Sequence, residues 1–163
     1  MRGLVITVGT GRDGKDIAHG LLKSIKAKNP NYILFFVTDG SIATREIITS
    51  DPQYPSSAEW IEDSFNESDD VEHLILHYRT VIKAWMRKNQ LQSSDVMADF
   101  TSGTKPMSAA LVVTALDLNL ESLSYIRGER SSDGRVSPGT ERIEEITPGE
   151  LLFGRVIDQA ITF

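Results

Sequence analysis

Two short glycine-containing segments concentrate the residues that could do chemistry. The first, Gly9-Thr-Gly-Arg-Asp-Gly14, satisfies G-x-G-x-x-G between an apolar run and a helical stripe. Glycines there let the chain turn tightly and let an anion approach the backbone amides, with a helix N-terminus behind them. Asp39, at the end of the next apolar run, stands where an acid that binds a ribose hydroxyl is expected. The plainer reading is a glycine-rich connection that serves the turn alone. The second segment, Thr101-Ser-Gly-Thr-Lys105, carries three hydroxyls and an ammonium from a strand end into a helix start. It is not a Walker A loop, because no Gly-Lys-Ser/Thr stands at the required spacing. Thr104 has the plain alternative role of helix cap, worth about 1 kcal/mol. Capping explains one hydroxyl and leaves Ser102, Gly103 and Lys105 for a ligand.

Other chemistries are poorly served. The 163 residues include no cysteine, which excludes disulfides, a thiol nucleophile and cysteine-held metals. His73-Leu-Ile-Leu-His77 has i, i+4 spacing but lacks the glutamate of a zinc protease, so the three histidines read as ordinary helix residues and no metal is expected. A net charge of -6 argues against a general grip on duplex nucleic acid. An anionic ligand would need local donors: backbone amides, Lys105, Arg12 and Arg127. The N-terminal apolar run is too short for a secretory signal or a membrane span, so the expected compartment is the cytoplasm.

The elements that must position these loops follow from hydrophobic pattern. Leu4–Val8 and Ile33–Val37 are continuous apolar runs of the kind buried on both faces of a parallel sheet. Ile17, Leu21, Leu22 and Ile25 make a helical stripe between them, which completes a right-handed βαβ unit. A short helix is expected over Ser41–Thr49 and a long surface excursion over Asp51–Asp70. Val71 to Met86 then traces offsets of 3, 4 and 7, with acids in front where a helix dipole favours them. A third strand, Asp95–Phe100, leads into the second loop and a helix with Pro106 in its first turn. Ser122–Arg127 reads as a strand, Arg130–Pro138 as a polar loop and Glu141–Ile146 as an antiparallel return strand. Leu151, Leu152, Val156, Ile157 and Ile161 give a final helical pattern. The expected fold class is α/β, Rossmann-like: a mostly parallel sheet flanked by helices, with an antiparallel C-terminal hairpin. Both loops then leave strands at the carboxyl end of the sheet, where such folds bind ligands.

The segment Asp99-Phe-Thr-Ser-Gly-Thr-Lys-Pro-Met-Ser-Ala-Ala110 resembles the second signature of CARF domains, the CRISPR-associated Rossmann-fold sensors. Val8-Gly9-Thr10-Gly11 is similar to their first signature, and Gly139-Thr-Glu-Arg-Ile-Glu-Glu-Ile146 with Pro148 to their return strand and exit. The resemblance implies a homodimeric receptor for cyclic oligoadenylate, tetra-adenylate by family frequency, that switches on a fused effector in type III CRISPR antiviral defence. It places Gly9, Thr10, Gly11 and Arg12 on one wall of the site and Ser102, Gly103, Thr104, Lys105 and Met107 on the other. Asp39, Thr101 and Arg127 complete the candidate ligand-binding set. Met107, Tyr125 and Phe100 are the flat or apolar groups that could neighbour an adenine, with a core role better suited to Phe100. No separate cofactor is implied. Residues 1–147 form the expected ligand-binding domain, and 148–163 a C-terminal helix or a linker towards an effector domain that this chain lacks.

Two rivals remain at this point. A ring nuclease would cleave the bound ring through its own 2′-hydroxyl, with Thr10 and Ser102 orienting it and Lys105 stabilising the developing charge. An NAD-dependent enzyme would use Gly9, Gly11, Gly14 and Asp39, but no catalytic tyrosine–lysine or histidine constellation accompanies them.

Overall fold

The computed structural model of the chain describes residues 1–11, 14–66, 69–130, 132, 136–137 and 139–151. Its elements run β1 (Gly3–Thr7), α1 (Gly14–Lys28), β2 (Tyr32–Val37), α2 (Ile42–Ser50), β3 (Glu59–Ser64), α3 (Val71–Lys88), β4 (Val96–Asp99), α4 (Lys105–Asp117), β5 (Ser122–Arg127) and β6 (Arg142–Ile146). One sheet holds all six strands in the order β3-β2-β1-β4-β5-β6. Five are parallel, and β6 alone returns antiparallel beside β5. The Rossmann-like reading of the sequence is therefore the architecture found.

Alternation along the strands divides the core into two layers. Leu4, Ile6, Ile33 and Phe35 face α1, while Val5, Leu34, Phe36, Ala98 and Leu123 face α3 and α4. Every residue of β1 and β4 is buried, which explains why these strands read as continuous apolar runs with no polar side. α3 starts where Asp70 caps it: the Asp70 carboxylate accepts from the His73 N–H at 3.0 Å, and that bond lowers the Asp70 pKa. Leu74, Tyr78, Ile82 and Trp85 then bury its inner face.

One expectation is overturned. The stretch Asp51–Asp70, read as a surface excursion, contains β3, an edge strand parallel to β2 from Tyr32↔Glu59 to Val37↔Ser64. Its sequence, Glu-Trp-Ile-Glu-Asp-Ser, is exposed at most positions, so burial leaves almost no apolar pattern in it. Side chains hold it in place. Phe35 meets Trp60 edge-on at 6.1 Å, and the Arg45 guanidinium lies 4.8 Å over the Trp60 ring while its Nε donates to Glu62 at 2.7 Å. Asp63 at the strand's far end accepts from His77 of α3 at 2.5 Å, and His77 stacks on Phe65 at 4.3 Å. The strand leading into the second loop is consequently the fourth, not the third. The expected final helix starts as one turn at 148–151, and its remaining residues, 152–163, lie outside the described residues.

Candidate functional site

Strand order reverses between β1 and β4, so the loops after these two strands open side by side at the carboxyl end of the sheet. Register makes the match. Ile6 pairs with Asp99, and Gly9 and Ser102 each lie three residues beyond that pair. The Gly9 N–H donates to Ser102 Oγ at 2.9 Å, and Thr7 Oγ1 donates to the Ser102 carbonyl at 2.5 Å. A Cβ on Gly9 would stand 2.8 Å from the Gly103 nitrogen and 3.1 Å from its Cα, so the two backbones come this close only because residue 9 has no side chain. Gly103 also has φ +110°, a conformation strained for any other residue.

A buried carboxylate fixes the second loop from below. Asp99, fully buried, accepts from Ser24 Oγ of α1 and from the Thr101 N–H at 2.9 Å, with Ser124 Oγ at 3.5 Å. Thr101 Oγ1 in turn accepts from the Ile126 N–H of β5 at 2.9 Å. Thr104 is the N-cap of α4, accepting from the Met107 N–H at 3.3 Å, and Pro106 sits in the first turn. All three hydroxyls of the loop thus brace the fold. Ser102, 5 % exposed, holds the first loop to the second.

What faces outward is backbone and charge. Among the described residues, nothing accepts from the backbone N–H groups of Thr10, Gly11, Gly103, Thr104 or Lys105. The Lys105 side chain is exposed at the N-terminus of α4, and no described carboxylate pairs with it. Orphan amides beside a helix N-terminus and an ammonium make an anion-binding cradle.

The remaining expected residues divide. Asp39 borders the first loop: its neighbour Gly40 would carry a Cβ 3.4 Å from Thr10 Cγ2, and its carboxylate accepts from Asn66 Nδ2 at 3.0 Å and Ser64 Oγ at 3.3 Å. Met107 is 2 % exposed, within the core under α4. Phe100, just after β4, and Tyr125, within β5, lie 5.4 Å apart, both half-buried. Arg127 is exposed at the end of β5, in a groove of about 550 Å3 on the β5–β6 hairpin that none of residues 9–11 or 101–105 lines. Arg12 lies outside the described residues.

Sequence reasoning missed Ser24, Asp99 as a brace, and Arg142, which also lines the groove. Asp99 carried a signal, since a lone acid ending an otherwise apolar strand must find donors. Ser24 carried none, being a serine in an amphipathic helix.

No family model and no curated relative matches the sequence. Solved structures do. Csm6 of Enterococcus italicus, bound to cyclic hexa-2′-fluoro-hexa-dAMP, superposes at a TM-score of 0.60 with 17% identity over 79% of this chain. Can2 of Sulfobacillus thermosulfidooxidans, in complex with cyclic tetra-adenylate, superposes at 0.54 with 13% identity over 78% of it. The chain shares their fold. It spans about a third of either protein's length, 33% of Csm6 and 32% of Can2. The Rossmann-like architecture implied by the resemblance to CARF domains is thus the one found. Among the described residues no helix is long and apolar enough to cross a membrane.

Proposed function

We propose that this chain is a CARF-type sensor that binds cyclic oligoadenylate as a homodimer, with tetra-adenylate the first choice, and passes the signal to an effector in type III CRISPR defence. The observation that carries the reading is the pair of braced loops at the β1/β4 switch point. Their amides and the Lys105 ammonium, unpaired among the described residues, suit phosphodiester oxygens. That proteins of the same fold hold cyclic oligonucleotides supports the ligand class. An isologous dimer would present each loop twice to a ring of matching symmetry. α4 fits such an interface. Its outward side carries exposed Ala109 and Val113, 43% exposed, with half-buried Val112 and Leu116, an apolar surface that a helix usually buries.

Calorimetry with cyclic tri-, tetra- and hexa-adenylate, linear oligoadenylate and NAD tests this. One cyclic ring should bind and NAD should not. At 100 times its dissociation constant the ring should add about 2.7 kcal/mol of stability by mass action. Light scattering should give twice the 18.1 kDa chain mass. Absence of any shift with every ring would sink the reading.

A further inference from the structure

The β5–β6 hairpin carries two arginines directly opposite each other, Arg127↔Arg142. Like charges at opposed antiparallel positions destabilise a sheet. The fold does form ion pairs elsewhere: Lys23, Lys28, Arg45 and Arg79 each reach a carboxylate. Neither Arg127 nor Arg142 does, among the described residues, although Glu129, Glu141 and Glu144 line the same groove. Glu141 is already committed, accepting from the Gly139 N–H at 2.7 Å and facing Lys23 Nζ at 3.6 Å. The two arginines therefore stand with their Cβ atoms about 5 Å apart, and among the described residues neither guanidinium is held in an ion pair.

We infer that Arg127 and Arg142 form a clamp for a phosphate-class anion, a second contact surface for the ligand beside the strand-end loops. The position fits. Ile126, next to Arg127, is the residue whose N–H binds Thr101 of the second loop, so the clamp adjoins the loop through one hydrogen bond. Planar guanidinium forks hold phosphate oxygens bidentately, and two opposed forks can take both free oxygens of one phosphodiester. The flanking glutamates make the groove a poor trap for simple anions such as chloride, so occupancy depends on fork geometry. The identity of the ligand as a cyclic oligoadenylate rests on the sensor reading; the clamp itself does not.

Two probes separate them. Inorganic pyrophosphate at low salt should raise the melting temperature of the parent chain more than that of Arg142→Glu, in which only the strand-end cradle remains. The unliganded Arg142→Glu protein should melt higher than the parent, because it places opposite charges face to face. Cyclic tetra-adenylate should bind Arg142→Gln or Arg127→Gln about ten- to a hundredfold more weakly, the range for hydrogen bonds to charged groups. The salt dependence should become shallower by about 0.7 in log–log slope per lost phosphate contact. Glu144→Gln should bind more tightly. An equal pyrophosphate shift in parent and Arg142→Glu, or a lower melting temperature for unliganded Arg142→Glu, overturns the clamp. If the parent binds no ring while the pyrophosphate difference holds, the sensor reading falls and the clamp stands. If Arg142→Gln binds the ring like the parent, the proposed link between the clamp and the ring is overturned.

Discussion

The Gly9 N–H donates to Ser102 Oγ at 2.9 Å across 93 positions of sequence, and that bond joins the two loops of the site into one surface. Ser102→Ala leaves a half-buried N–H without its partner. It should cost about 1–3 kcal/mol of stability, the penalty for an unsatisfied buried donor. Binding should weaken too, although the Ser102 side chain is only 5 % exposed, because the amides of both loops lose their mutual register. Denaturant unfolding with calorimetry reads both quantities. Full affinity in a destabilised variant would show that the brace does not shape the cradle.

Lys105 and Thr104 are neighbours with opposite assignments. Lys105→Ala should weaken ring binding by about 1.5–3 kcal/mol per contact. Folding should survive, since a lysine at a helix N-terminus opposes the dipole. Thr104→Ala should lower stability by about 1 kcal/mol through loss of the cap and weaken binding less. Parent-like binding by Lys105→Ala would remove the ammonium from the site.

Acid should loosen the hairpin. Glu141 has its pKa lowered from 4.5, first by a hydrogen bond from its own backbone, then by the Gly139 N–H and by Lys23 and His19. A carboxylate with a depressed folded pKa adds stability above its ordinary range and loses it as pH falls through the depressed value. The difference in melting temperature between the parent and Glu141→Gln should therefore be full near pH 7 and shrink below about pH 4.5. A pH-independent difference would assign Glu141 a packing role.

Tyr54 offers a test in the opposite direction. Its hydroxyl is buried with no partner among the described residues, and burial pushes its pKa up to about 12. Tyr54→Phe removes an orphan polar atom and keeps the ring, so stability should stay level or rise by about 1 kcal/mol. A loss of that size in denaturant melts would mean that the hydroxyl has a partner.

The parts of this fold that were legible in sequence are those whose burial is two-sided or periodic. Leu4–Ile6 and Ile33–Val37 could only be interior strands, and Leu74 to Trp85 only an amphipathic helix. β3 was illegible because an edge strand with exposed Glu59, Trp60 and Ile61 carries no burial pattern, and its attachment through Arg45 and Glu62 is a tertiary event. The two loops stood out by residue type, yet the internal hydrogen bonds of their hydroxyls did not. Thr101, Ser102 and Thr104 look like ligand hydroxyls in one dimension and turn out to hold Ile126, Gly9 and Met107. Which hydroxyl is spent inside depends on partners 3 to 93 residues away, and those separations leave no mark on the local sequence.

The reversal of β6 has a directional consequence. β6 starts level with Arg127, beside the strand-end loops, and ends with Ile146 opposite Leu123, at the amino end of the parallel strands. The chain therefore leaves β6 at the pole opposite the strand-end loops. Occupancy felt at Arg142 would have to be relayed along five residues of one strand, about 17 Å, before it reaches that exit. Glu141, just before β6, pairs with Lys23, and Glu145, one residue from its far end, pairs with the buried Lys28, so two ion pairs tie this strand to α1.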